Sequence, residues 1–391
     1  MSSLSYEYND PNDTRPSHIY YDLIAVNNDI SGTLDATPVT FSETRGSPFL
    51  TNPQDYFCSI VRMQVETPYL PLYIVHVQTG QNDVNLTIYS VSLSYQYNGT
   101  TYVQETYLRW IPENLSVPLP AIPTIRQDYT TEYYWGMSYQ KFATMINVAL
   151  QSCYTDLNTQ VVTAGGTLPS LNAPFFSYND STFKFTLNAD TTGYDVNSGN
   201  YISIFADDCL GVLLSAFDMI FYGNNQRVSN GRNYQYRVYN QQGNNTFIGT
   251  VSPYNYTMYQ MSQSYPTTPL FCPIKSVSFQ SATLPIQADL LGKPAIFSGN
   301  NGAITGGNNN GFAPILTDVL ANVQNGYEYK PNLIYSPAVY RLLHMFGNQS
   351  LNNIDLQIYW TDMMGNDHIV KLLPQRSAQI KIMFRLRSLG V

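Results

Sequence analysis

The feature that most constrains this chain is the alternation in its last stretch. From Ile354 the sequence reads IDLQIYWTDMMGNDHIVKLLPQRSAQIKIMFRLR. Ile354, Leu356, Ile358 and Trp360 alternate with Asp355, Gln357, Tyr359 and Thr361, the period of a strand with one apolar face. TDMMGND supplies a turn in which Gly365 can take positive φ, and His368–Leu373 returns as the partner. Ile380, Ile382, Phe384 and Leu386 then alternate with Lys381, Met383, Arg385 and Arg387. The expectation is three terminal antiparallel strands, the last with an apolar row toward the core and a basic outer face.

Further upstream, Tyr56–Val65 and Leu86–Tyr97 also read as strands, and Asn98-Gly99 marks a hairpin. Pro68 and Pro71 interrupt the ladder after the first of these. Ile19–Val26 is a short apolar run suited to a buried or edge strand, and 1–17 reads as a flexible arm. Near Ser138 the period changes. Phe142, Met145, Ile146, Ala149, Leu150 and Cys153 fall at helical spacing, with Ser138 placed to cap them. A hairpin (Phe183–Leu187 with Tyr201–Phe205) and a second helix from Asp207 to Phe217 follow. Strand character returns at Lys275. The fold class expected is mainly β: a single jelly roll, a β-sandwich, from 18–115 and 271–391, with a mixed α/β domain, 116–270, inserted.

Composition narrows the function classes. Charged residues make up 12 % of the 391 residues, against a usual ~25 %, while Tyr numbers 33. Tyr without charge suits extensive protein contacts. A net charge of −8 argues against a nucleic-acid binder acting through its overall field. The charge is uneven, however: from His368 onward there are five basic residues and no acid. Cys58, Cys153, Cys209 and Cys272 have no CxxC spacing, so free, buried thiols are expected rather than zinc or redox sites. The opening residues lack an apolar core for a signal peptide, and no apolar run is long enough for a membrane span.

The motif search yields no catalytic residue, cofactor or metal. Asp207-Asp208 reads as a helix cap. Asp195-Val-Asn-Ser-Gly-Asn resembles half a calcium loop, but Ala206 stands where its Glu belongs. His18, His76, His344 and His368 share no ligand spacing, and Gly299–Gly311 matches no phosphate loop. The acid-free stretch 222–265, with Arg227, Arg232 and Arg237, reads as an exposed loop or subunit contact, with base or sugar stacking as the sharper alternative. Lys381, Arg385 and Arg387 are the candidate interface residues, facing either a neighbouring subunit, which is favoured, or nucleic acid.

Three sets of words, in order, resemble a family: YFCSIVRMQVETPYLPLYIV from Tyr56; MSYQKFATMINVAL, APFFSYNDSTFKFTL and YISIFADDCLGVLLSAF in the middle; IYSPAVYRLL, IDLQIYWTDMMGN and AQIKIMFRLR at the end. They are similar to the penton (vertex) capsid proteins of virophages and polinton-like viruses, most of all of the Sputnik type; 222–330 lies outside the resemblance. The resemblance implies a structural, non-enzymatic virion protein, assembled in the host cytoplasm. It implies a homopentamer at each vertex of an icosahedral capsid, ringed by major capsid protein trimers. A packaged DNA genome and a host or giant-virus surface glycan are further expected partners. Two alternatives stand beside it: a double-jelly-roll major capsid protein, and a glycan- or receptor-binding β-sandwich module.

Overall fold

The structure, a computed structural model, describes residues 15–30, 36–222, 232–240, 246–251, 253–292, 295–297, 303–305, 311–321 and 331–387. It divides into two compact units, 1–70 with 274–391, and 71–273.

In the first unit, eight strands among the described residues carry the frame. In chain order they are His18–Asn27, Thr40–Thr44, Tyr56–Glu66, Ile274–Gln280, Ile315–Val319, Asn332–Tyr335, Asn353–Asp362 and Arg376–Leu386. Numbered one to eight, they lie 1-8-3-6 in one antiparallel sheet and 2-7-4-5 in the other. That is jelly-roll connectivity, in which the chain crosses between two sheets at every step except from the fourth strand to the fifth, which pair directly. Ile354, Leu356, Ile358 and Trp360 are all buried, as their alternation requires. Ile380, Ile382 and Phe384 are buried in the other sheet; Leu386, at the strand end, is only half-buried.

The three terminal strands do not share one sheet, contrary to expectation. Asn353–Asp362 turns through Gly365 (φ 79°) into Asp367–Ile369. Pro374, which cannot donate to a ladder, and Gln375 (φ 62°) then redirect the chain, and Arg376–Leu386 joins the other sheet between His18–Asn27 and Tyr56–Glu66.

The second unit begins much earlier than expected. The hairpin Leu86–Tyr97/Thr100–Arg109, with Asn98 at φ 47° and Gly99 at φ 77°, belongs to it and not to the jelly roll. Residues 71–115 are therefore reassigned. The cause is packing: the helix Tyr139–Thr163 lies on this hairpin, and Ser203–Ala206 extends its sheet. The expected hairpin of 183–187 with 201–205 does not form. Lys184–Asp190 instead pairs with Phe175–Asn179 and Met258–Ser262, in a separate sheet.

The helix runs a full ten residues beyond Cys153 and buries Phe142, Met145, Ile146 and Leu150. Ser138 stands at its N-cap, but the hydroxyl makes no capping bond. Much of the Tyr content is core rather than contact surface. Tyr73, Tyr89, Tyr134, Tyr139, Tyr194 and Tyr236 are buried. Several carry their hydroxyls to backbone oxygens: Tyr134 donates to Val84 O at 3.0 Å and Tyr194 to Asn172 O at 2.7 Å. The second helix is short, Asp208–Leu213, because Ala216 turns to φ 75°. Among the described residues no helix is long and apolar enough to cross a membrane.

Candidate subunit interface

The three candidate cations do not form one open basic row. Asp22, Lys381 and Arg62 stand side by side on adjacent strands. Lys381 Nζ lies 3.0 Å from Asp22 Oδ2, and Arg62 Nη2 lies 3.7 Å from Asp22 Oδ1. Such partly exposed pairs contribute about 0–1 kcal/mol each. They nevertheless commit Lys381 within its own sheet. Met383, next on the same face, is buried, so Lys381 and Arg385 are not contiguous. Near here Tyr56–Glu66 carries a bulge: Lys381 faces Arg62 but Ile382 faces Ile60, leaving Val61 unopposed.

Arg385 is half-buried, between His18 and Phe57 of the neighbouring strands. Arg387 is a structural clamp. Its amide donates to Asp55 O and its Nη2 to Met345 O, both at 2.8 Å. Its guanidinium lies 5.2 Å from the Phe57 ring centre. Arg387 thus departs from the expected outward-facing role, because the chain past Leu386 lies against Asp55 and Phe57, at the start of Tyr56–Glu66, and against Met345.

The remaining motifs resolve into local structure. Asp207 Oδ1 accepts from Leu210 N at 2.8 Å and caps Asp208–Leu213; burial pushes its carboxyl up to about 7. Asp195 closes a turn at Asn197 N and accepts from Tyr259 OH at 2.9 Å. His76 bonds Tyr129 OH at 2.9 Å, and burial lowers its pKa. His368 stacks on Trp360 at 4.1 Å and reaches Asp362 Oδ2 at 3.0 Å. Asp362 also accepts from Met364 N, Asn366 N and Asn366 Nδ2. Although burial opposes it, these bonds hold its carboxyl below the usual carboxylate range.

Arg232 lies over Phe205 and Arg237 pairs with Asp218 at 3.8 Å, while Arg227 falls outside the described residues, as does most of 299–311. Cys58 and Cys153 are buried, with thiols pushed up to about 12 and 11 by burial, but Cys209 is exposed, against expectation.

Sequence reasoning missed a set of exposed apolar side chains on the otherwise polar outer face of the first sheet. On the jelly-roll sheet, Tyr20 (56 %), Ile24 (64 %), Val26 (59 %) and Ile334 (68 %) are exposed while Tyr21 and Leu23 are buried. Ile24, Gln379, Gln64 and Ile334 form one cross-strand row. The signal was present in HIYYDLIAVN, which is apolar on both faces. A strand exposed to water on one side has no need of that.

Known proteins fit this geometry along nearly the whole chain. The profile of the Sputnik minor capsid protein V18/19 family matches residues 19–386. The chain belongs to that family. It is accordingly a capsid protein, a constituent of the virion. Sputnik virophage protein V18 is 33 % identical over 179 residues, 44 % of this chain and 99 % of V18. Structural protein V19 of the same virophage is 30 % identical over 219 residues, 55 % of this chain and 95 % of V19. A chain of the cryo-EM structure of the Sputnik virophage superposes with a TM-score of 0.78 at 27 % identity, covering 96 % of this chain and all of that one. The crystal structure of the mavirus penton protein superposes at 0.59 with 16 % identity, covering 95 % and 99 %; that likeness establishes the shared fold.

Proposed function

We propose that this capsid protein forms the five-fold vertices of an icosahedral shell as a homopentamer, seated among trimers of the major capsid protein and built in the host cytoplasm. The observation that carries the reading is the superposition on the mavirus penton protein along both chains, inserted unit included. A five-fold ring needs two different surfaces per subunit that meet and close. The outer face of the first sheet, where Tyr20, Ile24, Val26 and Ile334 stand exposed among Asp22, Lys381, Gln379 and Gln64, is suited to be one of them, since interfaces mix apolar anchors with polar groups. The role is structural, with no catalytic step. Among the described residues no group of three His, Cys, Asp or Glu could hold a metal.

A double-jelly-roll major capsid protein fits less well, since the second unit is organised around a long helix rather than a second eight-strand frame. Glycan capture belongs to the inserted unit in this reading. A contact with the packaged DNA genome through the half-buried Arg385 is a further part of this reading. Electron microscopy of the purified protein tests the proposal: five-fold rings are expected, and trimers or a persistent monomer would overturn it.

A further inference from the structure

We infer that residues 3–8 of one copy add as a strand to the open sheet edge of a neighbouring copy. The inference rests on the ring reading above and names the contact that closes it. His18–Asn27 and Thr40–Thr44 are the outermost strands of the two sheets on one side of the jelly roll, and among the described residues no strand pairs with either outer edge. Between them runs a groove of about 340 Å³ lined by Ile24, Val26, Thr40, Ser42, Glu43 and Leu372. The edge strand is ten residues long, with Asp22 as its one acid and no Lys or Pro, so its sequence lacks the usual guards against pairing. It is the kind of edge that accepts an extended segment through backbone hydrogen bonds and side-chain pockets.

The chain itself carries such a segment. Leu4, Tyr6 and Tyr8 alternate with Ser3, Ser5, Glu7 and Asn9, the period of a strand with one apolar face. The geometry at its exit directs it to another subunit. Ser17 O accepts from Leu386 N, and Arg15 pairs with Asp55, which leads into Tyr56–Glu66. That strand lies two places in from the open edge, roughly 10 Å at the usual strand spacing. Residues 15–17 therefore lie toward the interior of the sheet and not over the groove. The seven steps from Tyr8 to Arg15 span up to roughly 23 Å when extended, a length that suits a contact with a copy seated alongside.

Two experiments on the full chain test this. In the first, Tyr6→Cys and Ile24→Cys are combined with Cys209→Ser and oxidised. Disulfides between chains, seen as a ladder on a non-reducing gel, are expected; a bond within one chain, or none, overturns the inference. In the second, Leu4→Asp, Tyr6→Asp and Tyr8→Asp empty the groove, and a fluorescent peptide of residues 1–14 is titrated in. Saturable binding is expected, weakened at least tenfold when Ile24→Asp and Val26→Asp are added. Both sites are exposed, and circular dichroism verifies the fold. Absent binding, or binding indifferent to the groove variants, overturns the inference. Five-fold rings that form normally with the triple-Asp arm also overturn it while sparing the vertex proposal. Peptide capture by a chain that never forms rings supports strand addition and defeats the vertex proposal instead.

Discussion

At the scale of single residues, the buried carboxylates make the sharpest predictions. Asp207 holds its proton to about 7 when folded, against about 4 when unfolded. The folded state therefore binds more protons between those values. This contribution to stability is fully present below about pH 4 and is lost as pH rises through 7. Asp207→Asn keeps a cap but cannot ionise. Its melting temperature relative to the parent should rise between pH 5 and pH 8. Asp207→Ala removes the bond to Leu210 N and should cost about 0.5–2 kcal/mol at pH 5, and less at pH 8, where the parent is itself weakened by the buried charge. Asp362 has the opposite sign: its depressed carboxyl stabilises above the unfolded value near 4, and the effect is lost as pH falls through the folded value. Gly136 illustrates a packing limit, because a Cβ there would meet the Tyr73 ring 2.1 Å away. Gly136→Ala should destabilise by about 1–3 kcal/mol in chemical denaturation.

At the scale of elements, what the sequence disclosed follows from the range of the forces involved. The helix and the strand Asn353–Asp362 were legible because their buried faces repeat in register with their own backbone periods. Phe142 sits in an aromatic cluster with Tyr73, Tyr89 and Phe271 at 5.1–5.8 Å. Phe142→Ala should cost about 3–5 kcal/mol in the isolated subunit, read from urea unfolding. Ser138→Ala should change little, because the hydroxyl makes no cap bond. Strand partners were not legible. Lys184–Asp190 and Ser203–Ala206 each show strand character, yet which sheet each joins is set by distant segments, Met258–Ser262 for one and Leu86–Tyr97 for the other. The candidate cations were legible as charges but not in their partners: nothing local to Arg387 announces Met345.

At the scale of the whole molecule, charge reversal distinguishes the roles of the terminal cations. Arg387→Glu breaks a clamp and should lower the stability of the lone subunit. Arg385→Glu should lower vertex incorporation, measured with and without genome, by more than any loss of the lone subunit's melting temperature accounts for. The domain boundary was misplaced because strand pattern alone cannot say which body a strand serves; residues 71–115 look like jelly roll but pack on the helix. One pairing also sets a timetable. His18 faces Arg385 and Asn27 faces Arg376, so the first strand meets its partner only after both units have been synthesised. Such distant pairing is slow and entropically costly, whereas 71–273 can fold on its own contacts as it leaves the ribosome. Until the last strand docks, the first sheet lacks its second member and its outer face is not assembled. A chain that stops short of Arg376–Leu386 cannot present that face to its neighbours and is thereby kept out of a shell.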